Sequence, residues 1–217
     1  MKKVNETGGA RIGWANATWP FASLQVTETQ LILNATIVGK LTFKPSDITS
    51  IEAYNYIPII GQGIKINHCV KPYKDHVVFW TFKNPEKLIK EIENTGFLNS
   101  RSDKDNISSE EITSNQKTGG FPLKLSFAIV IVVLWNVLSF IDLKSLTQDG
   151  KILFGLGKGF ILSTSIILIA SILLLTSPAF QKMALKKGRN VRDISKFIYF
   201  IILIVGILFL SRIFLEI

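Results

Sequence analysis

Three stretches in the last 93 residues carry no Asp, Glu, Lys, Arg or His: Leu125–Ile141, Gly159–Gln181 and Phe197–Ser211, of 17, 23 and 15 residues. A helix needs ~20 apolar residues, within a range of ~17–25, to cross the hydrocarbon of a bilayer. The middle stretch meets that length unaided. Lys124 lengthens the first and Arg212-Ile213-Phe214-Leu215 the third, because a long cationic side chain reaches the headgroups while its stem stays in lipid. Three such runs with so little polar sequence between them would leave a soluble fold without an exterior. The expectation is three spans, at about 124–141, 159–180 and 197–215, in a membrane region covering 124–217.

The charges give those spans a direction. Residues 125–217 carry 10 Lys and Arg against 4 Asp and Glu, so much of the formal net charge of +9 sits at the apolar end. The loop after the first span holds Lys144, Lys151 and Lys158. The loop after the second holds Lys182, Lys186, Lys187, Arg189, Arg192 and Lys196. Short loops rich in Lys and Arg stay on the cytoplasmic side, which places residues 1–123 inside, the carboxyl end outside, and the protein in the cytoplasmic (inner) membrane. The start, Met1-Lys2-Lys3-Val4-Asn5-Glu6, lacks the apolar core of a secretory signal and agrees with that topology. The six cations of the second loop, interleaved with Met183, Leu185, Val191 and Ile194, read as a contact with the membrane surface, each worth ~1 kcal/mol near an anionic leaflet.

Ionisable groups within the bilayer usually mark ion or proton pathways, and none is found inside these runs. Their polar and small residues, Asn136 and the seven-residue steps Ser163, Ala170 and Ser177, read as a helix-packing face that also allows homo- or hetero-oligomers. Gly155-Leu156-Gly157-Lys158-Gly159 lacks the strand and the Lys-Ser/Thr ending of a phosphate loop, and reads as a turn.

Residues 13–98 alternate as short strands and end in one helix. Leu31-Ile32-Leu33 follows Ala22-Ser23-Leu24-Gln25-Val26 across a polar turn. Gly39 to Phe43 and Ile48 to Tyr56 continue the pattern, interrupted at Pro45. Gly63–Val70 and His76–Phe82 form a hairpin; if residue 70 pairs with 76, then Ile64, Ile66, Val78, Trp80 and Phe82 share the core face. The helix carries its own ends: Asn84 as N-cap, Pro85 at the first position, Glu86 at the positive end of the dipole, and Gly96 as a left-handed stop.

The run of strands closed by one capped helix, with Gly61-Gln62-Gly63-Ile64-Lys65-Ile66-Asn67-His68, Val78-Phe79-Trp80 and Asn84-Pro85-Glu86 in it, resembles the bacterial pleckstrin-homology-like (PH-like, GRAM-like) domains found beside membrane spans. The resemblance covers about 90 of the 217 residues. It implies a partly open seven-strand antiparallel barrel over residues 1–98 plugged by a helix, no enzymatic activity, and binding of anionic headgroups or peptides. The first hairpin lacks the concentrated Lys and Arg of headgroup binders. Residues 99–123 read as a flexible linker; its polar stretch 99–120, 22 residues, would reach ~25 Å as a coil.

The chemistry is sparse. Cys69 is the sole cysteine, which excludes an internal disulfide framework. His68 and His76 are expected as diagonal neighbours on one face, with Cys69 on the other, and two imidazoles without a third ligand make no catalytic zinc site. No metal or cofactor is expected. Positive-inside topology accounts for the basic pI of 9.6 without nucleic acid. The fold class expected is α+β joined to membrane α-helices. The function expected is that of a non-enzymatic membrane protein whose barrel recruits a protein partner or senses the inner leaflet. The alternative is an accessory subunit of a membrane transport or export complex, with the small-residue stripe as its contact.

Overall fold

The structure is a computed structural model that describes residues 2–55, 62–99, 106–117, 120–149 and 158–215. It divides into two compact units, Met1–Pro122 and Leu123–Ile217.

The first unit is a curled antiparallel half-barrel. Its strands are β1 (Val4–Ile12), β2 (Ala15–Val26), β3 (Leu31–Asn34), β4 (Lys40–Phe43), β5 (Ile48–Asn55), β6 (Gln62–His68) and β7 (Val77–Trp80), in the order β4-β3-β2-β1-β7-β6-β5. This seven-strand arrangement, followed by helix α1 (Pro85–Glu93), is compatible with a PH-like fold. The alternation of β2 and β3 puts Leu24, Val26, Leu31 and Leu33 inside at 0 % exposure, where they meet Phe43, Ile64, Ile66 and Phe79 from the remaining strands. Leu88 and Ile92 of α1, four residues apart on one helical face, close the open end. The capping signals act as written: the Asn84 side chain accepts from the Lys87 amide at 3.0 Å, Pro85 opens the helix, and Gly96 takes φ +84°.

The register of the last hairpin differs from the expected one. The pairs are Lys65 with Val78, Ile64 with Phe79 and Gly63 with Trp80, three residues away from a 70–76 pairing. An odd shift turns β7 over. Val77 and Phe79 therefore enter the core, Trp80 is only partly buried, and Phe82 is 73 % exposed. Val78 is fully buried, but on the outer face between its strand neighbours Arg11 and Lys65. The cause lies in residues 69–76. Val70 and Tyr73 turn inward to join the core, and the Tyr73 hydroxyl accepts from the Thr42 amide at 3.2 Å, so the strand ends at His68 instead of running on into a tight turn.

The segment read as a flexible linker contains helix α2 (Asn106–Lys117), which packs on β4. Its contact is narrow: Ile112 and Gln116, one turn apart, are buried, and Gln116 Nε2 donates to the Thr42 carbonyl at 3.1 Å and to Asp47 Oδ2 at 2.8 Å. The Lys40 amide donates to the Gly120 carbonyl at 3.0 Å. Gln116 and Gly120 thus supply partners to the free edge of β4, groups that would otherwise be open to another chain. The coil estimate does not apply to these helical residues.

In the second unit α3 (Leu125–Asp149) and α6 (Ser195–Leu215) both pack against α4 (Lys158–Thr176). Short α5 (Pro178–Ala184) follows α4. The expected second span, 159–180, is therefore broken at its end. Ser177 leaves the helix and caps α5, accepting from the Phe180 amide at 3.3 Å, and Pro178 opens the new helix because it cannot donate into the old one. Among the described residues one helix, α4, is long and apolar enough to cross a membrane. The apolar stretches Leu125–Phe140 and Ser195–Ser211 are shorter.

Candidate functional site

The surface feature that stands out in the first unit is aromatic and lies outside the sheet. Trp80 pairs with Gly63 on one side and Gly9 on the other. The two glycines place no side chain beside the indole. Tyr54, opposite Gly63 on β5, reaches over it to Trp80 with ring centroids 5.6 Å apart. At Gly9, a Cβ would meet the Trp19 amide nitrogen at 3.3 Å and Trp80 Cδ1 at 3.4 Å, so the Trp80 ring lies near the Trp19 backbone above the glycine. Trp19, 57 % exposed, makes an edge contact with Phe82 at 6.1 Å. Tyr54, Trp80, Trp19 and Phe82 form one row across five strands.

Cations border the row. Arg11 and Lys65 flank Val78 on the same face, and neither has an acidic partner within salt-bridge distance among the described residues. Arg11 Nε donates to the Gly13 carbonyl at 3.1 Å. His76 joins this face, 5.9 Å from the Tyr54 ring. Its pKa is lowered, first by desolvation and then by the positive charges of Arg11 and Lys65. A depressed imidazole pKa keeps the folded state from taking a proton that the unfolded chain accepts. Stability of residues 1–122 should therefore be level above about pH 6.5 and fall as the pH drops below it; His76→Gln should flatten that part of the profile in thermal unfolding followed by circular dichroism.

The other residues singled out in the sequence are dispersed. His68 faces inward against Phe43, with ring centroids 5.1 Å apart, whereas His76 lies on the outer face, so the expected shared face is not formed. His68 Nδ1 accepts from the Val70 amide at 3.2 Å and Nε2 lies 3.0 Å from the Lys74 carbonyl, which suits a neutral Nε2–H imidazole fixing the loop. Cys69 is exposed. No group of three or more His, Cys, Asp or Glu placed to hold a metal occurs among the described residues. Lys83 bridges Glu6 and Glu91, both at 2.6 Å, and these hydrogen bonds raise its pKa while tying β1 to α1.

In the second unit Lys182, Lys187, Arg192 and Lys196 are exposed and Lys186 partly so, while Arg189 is only 9 % exposed. Of the apolar residues between these cations, Leu185 and Ile194 pack inward, and Met183 remains 54 % exposed. Ser163 is 1 % exposed and bonds back to the Phe160 carbonyl at 3.0 Å. Asn136 is exposed and bonds its own helix at the Val132 carbonyl, 2.7 Å away, instead of a neighbour. Ser177 lies beyond α4, which removes it from the expected stripe. Gly155-Leu156-Gly157 falls outside the described residues.

No family model matches this chain, no curated protein matches it significantly, and neither does any solved structure.

The aromatic row escapes sequence reading because its members come from β2, β5, β7 and the bend after β7. The available signal was the pair of glycines within otherwise β-forming strands, which often marks close approach.

Proposed function

We propose that this protein is a membrane-anchored, non-enzymatic binding module whose half-barrel docks on a protein partner or on the inner leaflet through its outer aromatic face. The observation that carries the reading is the row of Tyr54, Trp80, Trp19 and Phe82, of which Trp19 and Phe82 are more than half exposed, bordered by Arg11 and Lys65, on a chain that continues into an apolar helix. Amphipathic rings beside cations suit both a protein hot spot and the headgroup layer. Within this reading α3, α4 and α6 all span. Residues such as Val132, Ile169, Leu203 and Ile207 are more than half exposed on their helices, a surface that water would not tolerate and lipid would cover. The orientation is the one set by the basic loop, with the barrel inside and the carboxyl end outside. In the runner-up, an accessory subunit of a transport complex, Ser163 would be a contact for another protein; its burial within the unit leaves little of it to offer.

Two measurements test the proposal. Alkaline-phosphatase and fluorescent-protein fusions at Asn99 and after Ile217 should report a cytoplasmic barrel and an external end; strong fluorescence from the carboxyl-terminal fusion overturns the topology. The double variant Trp19→Ala with Phe82→Ala removes exposed rings, so stability should change by about 0.5 kcal/mol or less per site. It should nevertheless abolish both co-purification of partners in mild detergent and binding to anionic vesicles. Retention of whichever contact the parent protein makes overturns the aromatic face as its surface.

A further inference from the structure

A groove of about 440 Å³ runs along the second unit between α3, α4 and α5, lined among others by Phe127, Leu134, Ile166, Ala170, Phe180 and Met183. Its walls are almost entirely apolar, with Ser126 the one polar residue along them. It is open on its side, since Leu134 is 39 %, Ile169 56 % and Met183 54 % exposed. One end has a defined construction: the Phe127 and Phe180 rings meet edge to face at 5.5 Å, and Lys124 Nζ donates to the Lys182 carbonyl at 2.6 Å. The Lys124 ammonium thus stands at that end, and the exposed Lys182 directly precedes the lining Met183.

We infer that this groove holds one acyl chain of an anionic phospholipid, with the phosphate held between Lys124 and Lys182; the inference rests on the membrane-anchored reading above. The lining runs from Ser126 to Leu134, a helix rise of ~12 Å, and its almost wholly apolar walls suit an alkyl chain, whose carbons gain contacts with neighbours at ~4 Å. Charge fixes the direction: among the described residues Lys124 stands at one end of the groove, with Lys182 adjoining its lining in sequence, which complements a headgroup phosphate above a buried tail. The same end carries the basic loop that the positive-inside rule assigns to the cytoplasmic face, so the site opens to the inner leaflet.

The test uses the full chain, purified in mild non-ionic detergent, delipidated, and titrated with phosphatidylglycerol or with phosphatidylcholine of identical chains while native mass spectrometry counts bound lipid. One phosphatidylglycerol per chain should be retained, about tenfold more tightly than phosphatidylcholine. Ala170→Phe fills the groove and should weaken both lipids by about tenfold or more, whereas Ile172→Phe, an exposed position off the groove, should weaken neither. Lys124→Glu with Lys182→Glu leaves the walls intact and should erase the preference for phosphatidylglycerol while phosphatidylcholine still binds. Equal binding of the two lipids by the parent chain, or unchanged binding by Ala170→Phe, overturns the inference. Alkaline carbonate washing of membranes separates the two levels: a retained chain without lipid preference defeats the groove alone, and a released chain defeats the membrane reading and the groove together.

Discussion

Gly63→Ala is expected to destabilise residues 1–122 strongly, although it adds a single methyl group. A Cβ at Gly63 would collide with the Phe79 carbonyl oxygen and lie 3.1 Å from Trp80 Cα. Both contacts are with the backbone of the paired strand, so no side-chain rotation relieves them, and β6 must part from β7. Overpacking in a dense interior costs ~1–3 kcal/mol when side chains can shift. Here the ladder itself must move, and the expected cost is at or above the upper end of that range. Since small domains hold only ~5–15 kcal/mol in all, a large share of the stability goes. Gly206→Ala in α6 is the internal control. Nothing lies within 4 Å of its Cβ position, and it sits inside a helix, where alanine is favoured over glycine by roughly 0.5–1 kcal/mol. Urea unfolding followed by tryptophan fluorescence should show the first variant unfolded or strongly shifted. A midpoint unchanged from the parent would mean that β6 and β7 are not paired at Gly63.

Phe79→Ala should cost ~3–5 kcal/mol, whereas Phe82→Ala, three residues away, should change stability by about 0.5 kcal/mol or less. Phe79 is fully buried and touches the centre of the core, while Phe82 is 73 % exposed. The same unfolding measurement reads both. Reversal of the two effects would restore the register in which residue 70 faces 76 and would put Trp80 in the core. That outcome would also dismantle the outer aromatic row, so the pair of variants tests the fold and the candidate site together.

What was legible in the chain was what neighbouring residues decide among themselves. Asn84, Pro85 and Gly96 mark α1 because caps and left-handed stops act over a few residues, and they act so in the structure. The long uncharged run beginning at Gly159 became α4, since apolar length needs no distant partner to be recognised. Its end at Thr176 was equally local: Ser177-Pro178 is a capping pair, overlooked because the apolar run continues through it.

Tertiary structure decided the rest. Whether Val78 or Phe79 faces inward depends on where Val70 and Tyr73 find space, and that space is bounded by Phe43 on the far side of the sheet. Helix α2 has little amphipathic character of its own; it forms against β4, where Gln116 meets a carbonyl that an edge strand leaves unpaired. The aromatic face arises because β1 lies beside β7, which brings Gly9 to Trp80 across 71 positions of chain. Alternation along a strand tells which residues share a side, but only the pairing of strands tells which side is inside, and pairing is fixed by contacts far apart in sequence.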